Sequence, residues 1–155
     1  MIKVNVIINH KKWKKIIINP EKYLQKKIKT LNFSNNFFKK KRLEFSILLS
    51  GDKEIKKLNK NFRKKNKTTD ILSFPFHEKR DLKKLLKKKE IIYLGDIIIN
   101  LNKIIKKHEK KYETKSKFDK LWIHGLIHLL GGRHKSNKDF FIMKNLEDKF
   151  FRSIN

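Results

Sequence analysis

The chain contains no cysteine, which removes disulfide frameworks, thiolate metal sites and cysteine nucleophiles in one step. Any bound metal must therefore rest on nitrogen and oxygen ligands. Alanine is also absent and valine occurs only at Val4 and Val6, while lysine, asparagine, isoleucine and phenylalanine are abundant. Long apolar runs are missing as well. No stretch approaches the ~20 apolar residues of a membrane span, and Met1 to Ile8 is broken by polar residues with no sustained apolar core of a signal peptide. The expectation is a cytoplasmic protein with no membrane partner. Acidic residues are scarce too, with 15 Asp and Glu against 42 Lys and Arg, for a net charge of +27.

That charge suits a polyanionic partner, because neutralising phosphates releases their condensed counterions. A second origin is equally open. Strongly AT-biased coding yields the same lysine-rich, alanine-free composition whatever the function, and runs such as Lys39-Lys40-Lys41-Arg42 and Lys87-Lys88-Lys89 read as solvated surface. Either origin leaves a surface that attracts RNA. The length of 155 residues suits one domain with one core, spanning 1–155.

Alternation of Val4, Val6 and Ile8 predicts a first strand over Lys3 to Asn9. Asn19-Pro20-Glu21 supplies an N-cap, a proline at the first helical position and a carboxylate in the first turn. A helix carrying Tyr23, Leu24, Ile28 and Leu31 should follow. A strand is expected over Leu43 to Leu49. Asp52 then caps a helix presenting Ile55, Leu58 and Phe62 to the core and ending near Arg63. Asp70 to Phe76 reads as an edge strand, since Pro75 cannot fill a ladder on both sides, and such an edge can hold a substrate strand. The charged stretch His77 to Glu90 reads as loop or short helix. Ile91 to Asn100 is a buried strand with one polar break at Gly95-Asp96. Asn100 should cap a helix carrying Ile104, Ile105 and His108. Two further helices are expected, one from about Ser116 to Leu130 and one carrying Phe140, Phe141, Leu146, Phe150 and Phe151. The resulting fold class is α+β, a single domain with one mixed four-stranded sheet packed with about five helices.

The most informative stretch runs from His124 to His134 and holds half of the chain's six histidines. His124 and His128 are four apart and project from one face of a helix. Gly131 and Gly132 end that helix, since glycine accepts the left-handed conformation at a C-cap, and His134 returns as a third ligand. Three imidazoles with no fourth protein ligand leave a divalent metal an open position, the mark of a catalytic zinc site rather than a closed structural one. One Zn2+ per chain is the expectation. Zinc proteases of the H-E-x-x-H-x-x-G-x-x-H type share this spacing, but they carry a glutamate base after the first histidine. Here that position is Gly125. Without the base the metal itself must acidify water, from a pKa of ~15.7 to about 7.

The stretch is similar to the motif H-G-x-L-H-L-x-G-Y-D-H, and with it the chain resembles the YbeY family of bacterial zinc-dependent endoribonucleases of ribosomal RNA maturation. Two further segments match in the family's order: Leu58-Asn59-Lys60-Asn61-Phe62-Arg63 running into Thr69-Asp70-Ile71-Leu72-Ser73-Phe74-Pro75-Phe76, and Leu94-Gly95-Asp96-Ile97. By this resemblance His124, His128 and His134 are the metal ligands and Arg63 is the arginine beside the cleft. A guanidinium suits that place, because it pairs with two nonbridging phosphate oxygens at once. Asp70 and Asp96 either orient Arg63 or a ligand imidazole or only cap backbone groups, and Ser73 either touches substrate or packs. Two departures stand out. Gly132 and Arg133 replace the family's tyrosine and aspartate, and Lys67-Thr68-Thr69 replaces its Lys-Pro-Thr.

The resemblance implies a metal-dependent endoribonuclease specific for single strands, acting in ribosomal RNA maturation and ribosome quality control and associated with the small ribosomal subunit. Arg63 would stabilise the transition state, with surface lysines holding the RNA backbone without reading sequence. Two alternatives stand beside it. One is a ribosome-associated assembly factor with residual catalysis, kept open by Arg133; the other is a zinc peptidase, disfavoured by Gly125.

Overall fold

A computed structural model of the chain describes residues 1–88 and 90–155; Lys89, the end of one lysine run, lies outside the described residues. Four strands, β1 (Ile2–Ile8), β2 (Arg42–Ser50), β3 (Ile71–Pro75) and β4 (Ile91–Asn100), form one sheet in the order β1-β2-β4-β3. β1, β2 and β4 are parallel, and β3 runs antiparallel to β4 on the edge. The chain is thus α+β with one mixed four-stranded sheet, as its sequence predicts.

Helices number eight among the described residues rather than five: α1 (Trp13–Ile16), α2 (Pro20–Ser34), α3 (Asn36–Lys39), α4 (Asp52–Arg63), α5 (Lys79–Leu85), α6 (Leu101–Ile104), α7 (Lys111–Leu129) and α8 (Asn137–Ile154). The unforeseen α1 and α3 are single turns too short to show a period. The helix expected to carry Ile104, Ile105 and His108 ends after one turn, with Ile105 extended and exposed and His108 at φ 67°. α7 starts earlier than its apolar pattern suggests, because the Lys110 amide donates to Glu113 Oε2 at 2.8 Å and closes the N-terminus ahead of the first core residue. No described helix is long and apolar enough to cross a membrane.

One sheet face carries the main core. Trp13, Leu24, Leu31, Phe38, Phe118, Trp122 and Leu126 are buried there against Leu43, Phe45, Ile47 and Ile97. The opposite face is only partly covered, by α4 through Ile55 against Leu72 and Ile98. Phe62, expected in the core, is 67% exposed, and so are Phe140 and Phe141 by more than half. The polar break in β4 is a bulge, where the register with β2 slips between Glu44 and Ser46. Gly95 stands there at φ 131°, and a Cβ on it would lie 2.1 Å from the Phe74 carbonyl oxygen, so only glycine fits.

α7 is tied to α2 by a buried polar knot. Asp119, 1% exposed, accepts from the Tyr23 hydroxyl at 2.9 Å and Trp122 Nε1 at 2.9 Å, and pairs with Lys27 Nζ at 3.1 Å. Burial first, then the Asp119 charge and hydrogen bond, push the Tyr23 phenol far above its ordinary range. The helix that bears the histidines is thereby fixed in rotation and height above the sheet.

Candidate metal centre

α7 brings His124 and His128 to one face, and the turn after it supplies His134. Gly131 takes φ 92°; its amide donates to the His128 carbonyl at 2.9 Å and the Gly132 amide to the Ile127 carbonyl at 2.8 Å. This pair of bonds is the Schellman stop, which satisfies the last helical carbonyls and reverses the chain. The reversal brings the three ring centroids to 4.6, 5.2 and 4.8 Å of one another. One ligating nitrogen from each ring lies within 4.8 Å of the other two.

The hydrogen bonds decide which nitrogens are offered. His124 Nδ1 lies 2.7 Å from Glu147 Oε1 on α8, and His128 Nδ1 lies 2.9 Å from the Gly132 carbonyl oxygen. A carboxylate and a carbonyl only accept, so both Nδ1 atoms carry the hydrogen and each Nε2 keeps its lone pair. Those two Nε2 atoms face each other at 3.0 Å. Two lone pairs at that distance repel unless a cation or proton stands between them. Tetrahedral Zn–N bonds of about 2.05 Å would set their ligand nitrogens about 3.3 Å apart, close to the spacing seen. The donor set therefore fits a divalent transition metal. Burial holds His128 below its ordinary pKa, the charges of His124, His134 and Arg63 push the same way, and the Gly132 carbonyl opposes them. A neutral ring is the form a metal requires.

Arg63, at the last turn of α4, reaches round the sheet edge to the same place. The Asp70 carbonyl accepts from Asn100 N and the Phe76 amide donates to the Leu94 carbonyl. By the alternation of an antiparallel ladder, the backbone groups of Ser73 then point away from β4. Arg63 Nη2 donates to that outward Ser73 carbonyl, at 3.5 Å. Arg63, Asp70, Ser73, Lys79, Arg133 and the three histidines all line one cleft of about 550 Å³. The structure brings together every residue proposed for the site from the sequence except Asp96.

Asp96 lines a separate groove on the other sheet face and accepts from the Tyr93 hydroxyl at 2.7 Å. Asp70 caps its own strand, accepting from the Ile71 amide at 2.9 Å and the Thr69 hydroxyl at 3.1 Å. No described bond joins either aspartate to Arg63 or to an imidazole. The carboxylate that does meet an imidazole is Glu147, which sequence reasoning missed. Its signal lay only in its place on α8, one turn before the buried Phe150. Gly125 is buried against the sheet: a Cβ there would lie 2.9 Å from Ile97 Cδ1 and 3.1 Å from Ile71 Cδ1. The position where a peptidase carries its glutamate is packed here against apolar side chains, with no room for a carboxylate.

The sequence model of the family described as Endoribonuclease YbeY matches residues 7–155. A protein named Endoribonuclease YbeY from Pelagibacter ubique is 41% identical over 155 residues, covering 99% of this chain and 97% of the relative. Its namesake from Ehrlichia chaffeensis is 31% identical over 155 residues, covering 99% and 93%. The solution structure of TM1509 from Thermotoga maritima shares the fold, with a TM-score of 0.58 at 21% identity over 99% of this chain and 89% of that one. With three ordered motifs, the geometry of the triad and full-length relatives in agreement, the chain belongs to the YbeY endoribonuclease family.

Proposed function

We propose that the chain is a zinc-dependent endoribonuclease that cuts single-stranded RNA, chiefly ribosomal RNA, in the cytoplasm and in association with the small ribosomal subunit. The single observation that carries this reading is the convergence of His124, His128, His134 and Arg63 on one open cleft. Curated relatives bearing the name Endoribonuclease YbeY support the reaction class. The net charge of +27 supports a polyanionic substrate.

His124, His128 and His134 would hold a divalent ion, which would supply Lewis acidity toward water and phosphate. The protein's own residues do the rest. Arg63 has one of its five donors engaged by the Ser73 carbonyl, so the guanidinium is oriented while other N–H groups remain for nonbridging oxygens. Hydrogen bonds to those oxygens would strengthen as negative charge gathers on them in the transition state, which is where they would lower the barrier. Lys79 and Arg133 on the same cleft add charge that draws the strand in and carry no sequence information.

The test is cleavage of an RNA with single-stranded loops by zinc-loaded protein, with and without chelator, and by His128→Ala. Chelator-sensitive cutting that disappears in the variant is expected. Retained RNA or subunit binding with no cutting by either protein would defeat the nuclease reading and favour a binding factor.

A further inference from the structure

We propose that Glu147 is a positioning residue of the metal centre, which sets the tautomer and ring orientation of His124 so that Nε2 is presented to the ion. The inference rests on the triad being a metal site, as proposed above, and adds the residue that makes it one.

Glu147 Oε1 lies 2.7 Å from His124 Nδ1. In a chain with 42 cationic side chains, the only described ion-pair partner of this carboxylate is that imidazole. Its side chain is 23% exposed and it is not among the residues lining the cleft. It stands behind the ring, and whatever it does for the reaction passes through His124. The bond selects the Nδ1–H form, leaving the Nε2 lone pair aimed at its counterpart on His128, 3.0 Å away. A negative acceptor also increases the ring's donor strength toward a cation. The division of labour is specific. His128 is oriented from within its own turn by the Gly132 carbonyl, whereas His124 is oriented by another element, α8. Without Glu147, His124 lacks that oriented Nδ1 acceptor, so its ring can take either tautomer, and α7 alone does not place the ligand.

Zinc affinity of the purified protein, measured by competition with a chelating dye, tests this for Glu147→Gln and Glu147→Ala. Gln keeps an accepting oxygen but no charge; Ala removes both. The expected loss is about 10- to 100-fold for Ala and less for Gln. Nitrogen-15 NMR of the metal-free proteins should show His124 as the Nδ1–H form in wild type and Gln, and as a mixture in Ala. A merely structural role would lower the melting temperature of the metal-free protein while leaving zinc affinity and the tautomer unchanged, and that result would overturn the proposal. Wild-type protein that binds no zinc would overturn the metal site and this inference together. Normal zinc binding, an intact effect of Glu147 and no RNA cleavage would sink only the nuclease reading.

Discussion

Gly125→Ala sets two opposing terms against each other at the interface that fixes the width of the cleft. The added Cβ would lie 2.9 and 3.0 Å from Cδ1 and Cγ2 of Ile97 and 3.1 Å from Cδ1 of Ile71. Carbon atoms rest at about 3.5–4.0 Å, so several tenths of an ångström must be found. Ile97 is fully buried in β4 and has little room to yield; α7 must lift or a rotamer must change. Replacing a helical glycine by alanine gains about 1 kcal/mol of helix propensity, while overpacking costs about 1–3 kcal/mol. The net is a loss of about 0–2 kcal/mol, or roughly 0–8 °C in melting temperature for a chain of this size.

The effect on chemistry should be the larger one. His124 and His128 ride on α7, whereas Arg63 is held on the Ser73 carbonyl of β3, so a lifted helix separates the imidazoles from the guanidinium. Misplacement of reacting groups by about 1 Å costs up to about 100-fold in rate. Zinc affinity should be unchanged as long as α8 moves with α7 and keeps the Glu147–His124 bond, because all three histidines belong to α7 and its exit. Calorimetry, zinc titration and single-turnover cleavage on one preparation decide it. A melting temperature raised by the full propensity gain, with wild-type cleavage, would refute the reasoning by showing that the contact carries no strain.

Three other outcomes follow from the geometry. Asp119→Ala leaves Lys27, Tyr23 and Trp122 without their shared acceptor and should cost about 3–5 kcal/mol in urea unfolding; a loss below about 1 kcal/mol would contradict the knot. Burial lowers the folded-state pKa of His128 below 6.5, so the unfolded chain takes the proton first. Stability of the metal-free protein should be level above about pH 7 and fall as the pH drops through 6.5 toward the lower folded value; His128→Gln should flatten that slope, and an unchanged slope would assign it elsewhere. Arg63→Ala should reduce cleavage by about 100-fold at unchanged zinc content, with Lys rescuing only in part because a point charge lacks the planar fork; wild-type rates in the Ala variant would remove the guanidinium from the mechanism.

The histidine cluster was legible because its members are local. Helical spacing places His124 over His128, and glycine chemistry dictates where the chain turns back, so eleven residues bring the three imidazoles together without reference to the rest of the fold. The four strands were legible for the same reason: period two at Val4, Val6 and Ile8, and a bulge announced by Gly95-Asp96. What escaped depends on distance in sequence. The Glu147 bond joins residues 23 apart, and nothing in the spacing of α8 distinguishes this carboxylate from Asp148 beside it. Phe62 and Phe140 misled because apolar periodicity states what can be buried, and among the described residues both stay more than half exposed. His108 failed for a local reason. The helix after Asn100 has a proper cap, but Ile105 turns extended after a single turn.

The compactness of the histidine segment also fixes when the site can exist. All four strands precede Leu101, while the last ligand is His134, so at about 5–20 residues per second a ribosome finishes the sheet roughly two to seven seconds before the triad is complete. During that interval the apolar face that α7 will cover has no lid. A metal held by the three histidines would enter a chain whose sheet-forming segments have already been made, and Glu147 follows the three histidines in order of synthesis. An ion held by the three histidines would therefore be a late arrival, taken up after every strand of the sheet has been synthesised.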